Sequence, residues 1–178
     1  MIDPVLSLIV SYAAAVVLLH GAWHKWQERE LFAAALQNYA LIPEVAVPSA
    51  SNLLIASEAT IGFLLCIPMA KPLAQGAGVL LLLVVSAAVA VNLLRGRTEI
   101  SCGCGGGSGD QQISWGLILR NSLFVLLLGL AALPTVARTL ISIDYLIMGL
   151  GVGMLAGLYA AASQLLTNGP RLEALRNT

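Results

Sequence analysis

The chain has 178 residues, no formal net charge, 58% hydrophobic residues and 10% charged ones, with a mean hydropathy of +0.88; soluble domains carry about 25% charged residues. This composition reads as a membrane protein that meets a lipid bilayer, and it excludes nucleic-acid binding, because the scattered lysines and arginines form no basic stripe. Three cysteines are too few for a disulfide scaffold and do not match a zinc-finger spacing.

In chain order, the first element is an apolar run over 4–23. An acid in "MIDP" stands where a signal peptide carries basic residues, so this run is expected to be a retained helix. The next segment, "HKWQERELFAAALQNYALIP" (24–43), mixes charges with Trp26, Leu31, Phe32, Leu36 and Tyr39. A helix over about 24–40 could lie along the membrane interface, or serve as a connector packed on the bundle. Further apolar spans follow at 49–70, 73–94, 113–133 and 144–166, each near the ~20 residues that a ~30 Å hydrocarbon core requires.

Pro72 and Pro134 fall at turns between spans, where a missing N–H is harmless. Irregular backbone cannot face lipid, so the expected fold is all-α: a polytopic membrane helical bundle of about five transmembrane helices, with residues 1–178 as a single integral membrane domain. In the last span Gly149, Gly153 and Gly157 recur every four residues, which permits close approach to a neighbouring helix.

An odd number of spans puts the termini on opposite sides. Lys25, Arg29, Arg95, Arg97, Arg171 and Arg176 share one side, whereas only Lys71 and Arg138 fall on the other. The positive-inside rule then places the N-terminus in the periplasm and the loop 95–112 in the cytoplasm.

Several polar residues interrupt the apolar runs. Glu58 and Arg120 lie at similar depths from the same side, by the ~1.5 Å rise per helical residue. Intramembrane charges tend to be paired and functional, so the two are expected to meet, either as an ion pair fixing helix register or as part of a binding cluster. Asn92 and Asn121 would extend that network. His20 and His24 lie four apart on one helical face.

The loop "RGRTEISCGCGGGSGD" (95–110) gathers polar residues, glycines and a cysteine pair. Cysteines one residue apart can close only a small, bent ring, and Gly103 removes the Cβ that would oppose the bend. Departures from ideal disulfide geometry store strain and make the bond easier to reduce. Arg95 and Arg97 would favour a thiolate at Cys102 or Cys104, and the glycines would leave the sulfurs accessible to another protein's active site, while Glu99 and Asp110 oppose the thiolate.

Three readings follow. One is a thiol relay, passing electrons between a soluble thiol protein and the bundle, with a quinone as a possible cofactor bordered by Trp23, Trp115 and Arg120. Another is a metal site of His20 and His24 with Cys102 and Cys104. In the last, the loop's thiols are incidental. Cys66 reads as a small buried hydrophobe.

Taken together, "NLLRGR" (92–97), "CGC" (102–104) and "ISWGLILRN" (113–121), with Lys25, "YALIP" (39–43), Glu58 and Gly62, resemble the MauE family of methylamine-utilisation membrane proteins within the wider DoxX-like group. The resemblance covers about residues 10–125. Gly105 stands where many family members have an aromatic residue. The resemblance implies a role in maturing the β-subunit of methylamine dehydrogenase, a periplasmic protein rich in disulfides. It also implies a MauD-like, thioredoxin-fold partner with which Cys102 and Cys104 would exchange.

Overall fold

A computed structural model describes residues 1–103 and 111–176, and the side chains of 1–103 and 111–168. The described chain is almost wholly helical. Helix α1 (Pro4–Gln27) starts where the Asp3 carboxylate accepts the Val5 N–H at 2.8 Å and Pro4 takes the first helical position, where the missing N–H is not needed. The backbone breaks at Glu28 (φ −112°, ψ 40°), and α2 (Arg29–Asn38) follows.

The expected single helix over about 24–40 is therefore two pieces: the last turn of α1 and a separate α2. On α2, Phe32 and Ala35 are buried, three residues apart on one face. A 3-10 turn (Glu44–Ala46) leads into α3 (Val47–Leu65). Helices α4 (Lys71–Leu94), α5 (Trp115–Ala131) and α6 (Ser142–Arg176) complete the order.

Among the described residues, three stretches are long and apolar enough to cross a membrane: α1, α4 and Ser142–Asn168 of α6. Helix α5 is apolar but shorter, and α3 carries Ser51, Asn52, Ser57 and Glu58. The protein is thus an all-α, membrane-spanning bundle with three membrane-length apolar helices.

Helix α1 is central, packing against α3, α5 and α6, while α4 packs against α5 and α3. Its inward stripe runs Ser11, Ala14, Leu18, Ala22 and Lys25, the i, i+3/i+4 spacing of one helical face. A Cβ on Gly62 would stand 2.8 Å from Leu19, so α3 approaches α1 closely through that glycine. The corresponding glycine on α6 is Gly151, where a Cβ would meet Ile9 at 2.8 Å. Gly149, Gly153 and Gly157, the stripe whose spacing permits such a contact, have nothing within 4 Å of their Cβ positions, because the helix presents the opposite face to α1. Cys66 also departs from expectation: it is exposed, in the turn after α3, where its thiol donates to the Gly62 carbonyl at 3.6 Å.

The bundle has two chemically distinct ends. At the N-terminal end, Ile2 pairs with Thr135 in the α5–α6 connection. Arg138 there forks between Asp3, at 2.9 and 3.1 Å, and Asp144, at 2.7 and 2.9 Å. Below it Ser7, Ser11 and Gln75 form a closed chain: Ser7 Oγ donates to the Ala131 carbonyl at 2.7 Å, and Gln75 Nε2 donates to Ser11 Oγ and to the same carbonyl at 3.0 and 3.1 Å. The other end holds the last turn of α1, α2 and the cysteine loop.

Candidate functional site at the cysteine-loop end

The loop is held by a short antiparallel pairing. Ser101 bridges Gln112, the Cys102 N–H donates to the Gln111 carbonyl at 2.7 Å, and the Ile113 N–H donates to the Ile100 carbonyl at 3.0 Å. Gly103 has φ +66°, and a Cβ there would stand 2.9 Å from Phe32 and 3.3 Å from Ala35. Only glycine combines this left-handed backbone with so close an approach. The loop is thereby seated on the buried face of α2.

This seating encloses Cys102. It is 5% exposed and belongs to an apolar cluster with Tyr39, Val89, Leu93, Ile100 and Leu117. The expectation that glycines leave this sulfur open to solvent is therefore corrected: the glycine brings the loop down on α2. Cys104, and with it the Cys102–Cys104 ring, lies outside the described residues. Arg95 and Arg97 are exposed beyond α4, whereas the surroundings of Cys102 are apolar.

Glu58, buried on α3, forms its ion pair with Lys25 of α1. The expected Glu58–Arg120 pairing is replaced by this contact, because the buried stripe of α1 continues through Lys25 and carries its ammonium to Glu58. Phe32 of α2 lies against the ammonium, with its ring centre 5.4 Å away. Arg120 is held instead by neutral groups. It donates to Ser163 Oγ at 2.7 Å and to Asn121 Oδ1 at 3.2 Å, and its guanidinium lies 4.5 Å from the Tyr159 ring centre. Asn121 in turn donates to Ser86 Oγ at 3.3 Å. It extends the Arg120 network as expected, while Asn92 donates within its own helix to the Ala88 carbonyl at 3.1 Å.

Three cavities among the described residues share Lys25 as a wall. The smallest, about 60 Å³, also touches Gly21, Glu58, Arg120, Asn121 and Tyr159, so Glu58 and Arg120 do face one space. Its other walls are apolar, among them Leu18, Leu81 and Phe124, and there is room for water beside the polar groups. A second, about 220 Å³, lies beneath the loop beside His24, Glu28, Asn38, Ser101 and Gln111. The third, about 250 Å³, is largely apolar and reaches from Lys25 and Glu58 to Cys102.

Among the described residues, the buried polar side-chain atoms left without a hydrogen bond gather around this end: Glu58 Oε2, Asn92 Oδ1 and both amide atoms of Gln111. Buried polar groups are ordinarily satisfied, so their clustering marks the region as a candidate binding site. Gln111 escaped the sequence reading because no pattern distinguishes a loop glutamine that becomes buried. Lys25 is the next step of the α1 stripe, beyond the span expected to end at residue 23.

The remaining candidates fall elsewhere. Trp23 and Trp115 are 62% and 60% exposed, pointing outward, so they do not enclose a ligand site with Arg120. His20 is exposed, and His24 Nδ1 lies 3.7 Å from Glu28 Oε2, one turn on. No group of three or more His, Cys, Asp or Glu side chains suited to a metal occurs among the described residues.

The family profile described as methylamine utilisation protein MauE matches residues 3–134. A methylamine utilization protein MauE of Paracoccus versutus is 35% identical over 169 residues, 92% of this chain and 88% of that protein. Its counterpart in Paracoccus denitrificans is 35% identical over 122 residues, 68% of this chain and 65% of that protein. The one in Methylorubrum extorquens is 32% identical over 171 residues, 90% and 92% of the two chains. No solved structure is significantly similar. The profile and the near full-length likeness together show that the chain belongs to the MauE family.

Proposed function

We propose that this protein is a multi-pass inner-membrane accessory factor in methylamine utilisation, serving maturation of the methylamine dehydrogenase β-subunit by thiol–disulfide exchange with a thioredoxin-like partner. The observation that carries this reading is the seating of the Cys102 loop on α2, at the head of a cavity walled by the Lys25–Glu58 pair. A thiol exchanged in this way is attacked in sequence, one sulfur after the other. With Cys102 enclosed, Cys104 is the thiol that meets the partner and Cys102 is the one that resolves or reloads it.

The same reading takes the chain as one domain with five spans, α3 and α5 crossing beside the three longer helices. The charge distribution orients the loop to the cytoplasm and the N-terminus to the periplasm. Attaching an impermeant thiol reagent to a Gly105→Cys variant lacking Cys66, Cys102 and Cys104 tests this. Labelling from outside intact spheroplasts reverses the orientation.

Function is tested by Cys102→Ser and Cys104→Ser. The Cys102→Ser protein should accumulate a mixed disulfide with its partner through Cys104, and both variants should lose growth on methylamine. A second reading, a non-redox chaperone or transporter, draws on the small cavity shared by Glu58, Arg120 and Asn121. Normal growth and normal β-subunit disulfides in both cysteine variants would select it.

A further inference from the structure

The cavity of about 250 Å³ lies between α2, α3 and α4 and is aliphatic along most of its length, where Leu54, Val84 and Ala88 contribute. Its polar or reactive wall groups are Lys25, Glu58, Tyr39 and Cys102. Leu41 and Val84, which also line it, are 40% and 54% exposed, so the cavity borders the outer surface of the bundle. Val84 stands near the middle of α4, a membrane-length apolar helix. The rim at Val84 is thus at hydrocarbon depth, where a ligand arrives dissolved in lipid.

The head of the cavity narrows the class of ligand. A fatty acid or a phospholipid phosphate would add a second negative charge to a head whose Lys25 ammonium is already paired with Glu58, in surroundings that strengthen the imbalance. A purely apolar molecule would leave Glu58 Oε2 without a donor. What fits is an apolar body with a neutral head able to accept from an ammonium and, in its reduced form, to donate O–H to a carboxylate. Cys102 in the same wall adds a thiol that such a head can oxidise.

We infer that this cavity is a quinone site, in which Lys25 and Glu58 hold the ring oxygens and Cys102 lies beside the ring. This rests on the thiol-exchange reading above and supplies its electron acceptor. In the step, the Cys102 and Cys104 S–H bonds break and an S–S bond forms. The two electrons and two protons pass to the quinone, which leaves as the quinol. A carrier dissolved in the bilayer is reached from either face, so the step does not depend on which way the loop points.

The test uses the full-length protein, purified and reduced, in lipid nanodiscs without oxygen, with decylubiquinone as the probe. Wild type should bind it, lose two thiols and produce one quinol per chain. Val84→Trp, which crowds the rim from an exposed position, should weaken binding about tenfold, and Glu58→Gln should weaken it several-fold. Cys104→Ser should bind normally and form no quinol.

Equal binding by wild type and Val84→Trp would overturn the site, as would a phospholipid chain in the cavity that decylubiquinone cannot displace. Binding without thiol oxidation in wild type would overturn the electron step. No partner protein is present, so failure here leaves the maturation reading standing. Failure of the mixed-disulfide test leaves the quinone site standing.

Discussion

The two ends of the bundle are built from similar residues and handle them differently. At the N-terminal end, Asp3, Arg138 and Asp144 satisfy one another, and Ser7, Ser11 and Gln75 close on the Ala131 carbonyl. At the cysteine-loop end, Glu58, Asn92 and Gln111 are buried with polar atoms left over, and cavities converge on Lys25. A closed network rigidifies, whereas an open one costs free energy unless something completes it. The contrast distinguishes the end whose polar groups close on one another from the end that leaves polar groups open, the one proposed above to receive a ligand.

The comparison breaks most sharply at Lys25. Removing one partner of a buried ion pair typically destabilises by about 3–5 kcal/mol, while replacing both with apolar residues is often neutral. Lys25→Met should therefore lower stability by that order, and Lys25→Met with Glu58→Met should recover most of it, measured by denaturant unfolding in micelles. A double variant as unstable as the single would mean that the pair is not an isolated charge couple.

A smaller effect separates two glutamines of equal burial, Gln75 and Gln111, each 2% exposed. Gln75→Leu removes two hydrogen bonds and should cost about 1–3 kcal/mol. Gln111→Leu removes an amide with no partner among the described residues, so its effect should be near neutral or stabilising. Equal losses would erase the distinction between the ends.

The smallest effect concerns pH. The Arg138 guanidinium, and then the Val5 N–H, hold the Asp3 carboxyl below its ordinary value of 3.8, and the carboxylates in turn raise Arg138. A carboxyl with a depressed folded pKa contributes stability that is present above 3.8 and is lost as the pH falls through the lower folded value. Asp3→Asn should flatten the unfolding midpoint over that acid range. Because the pair is exposed, salt should shrink the difference.

Much of this molecule was legible along the chain. Apolar runs placed the helices within a few residues at most ends, and depth arithmetic put Glu58 and Arg120 around one small cavity. It mispaired them because rise per residue gives depth but not rotation. Lys25, two residues beyond the expected span, reaches Glu58 because α1 continues straight to Gln27. Tyr159 and Ser163, the partners of Arg120, lie one turn apart on α6. No residue-level signal separated them from the other small and aromatic residues of that helix.

The glycines of α6 show the same limit. Their spacing is permissive of close approach, yet Gly151 and not Gly149, Gly153 or Gly157 is used, because that depends on the face turned toward α1. Likewise the glycines of the cysteine loop suggested an accessible pair, while Gly103 draws the loop onto Phe32 and Ala35 and covers Cys102.

Composition and periodicity by themselves determined that this chain is a helical membrane protein and where its helices run, because hydrophobic length and backbone satisfaction in lipid leave few alternatives. The tertiary structure alone decided which charge meets which, which glycine faces a neighbour and whether a thiol is covered. Those outcomes depend on helix rotation and close approach, and both are settled only when the elements pack against one another.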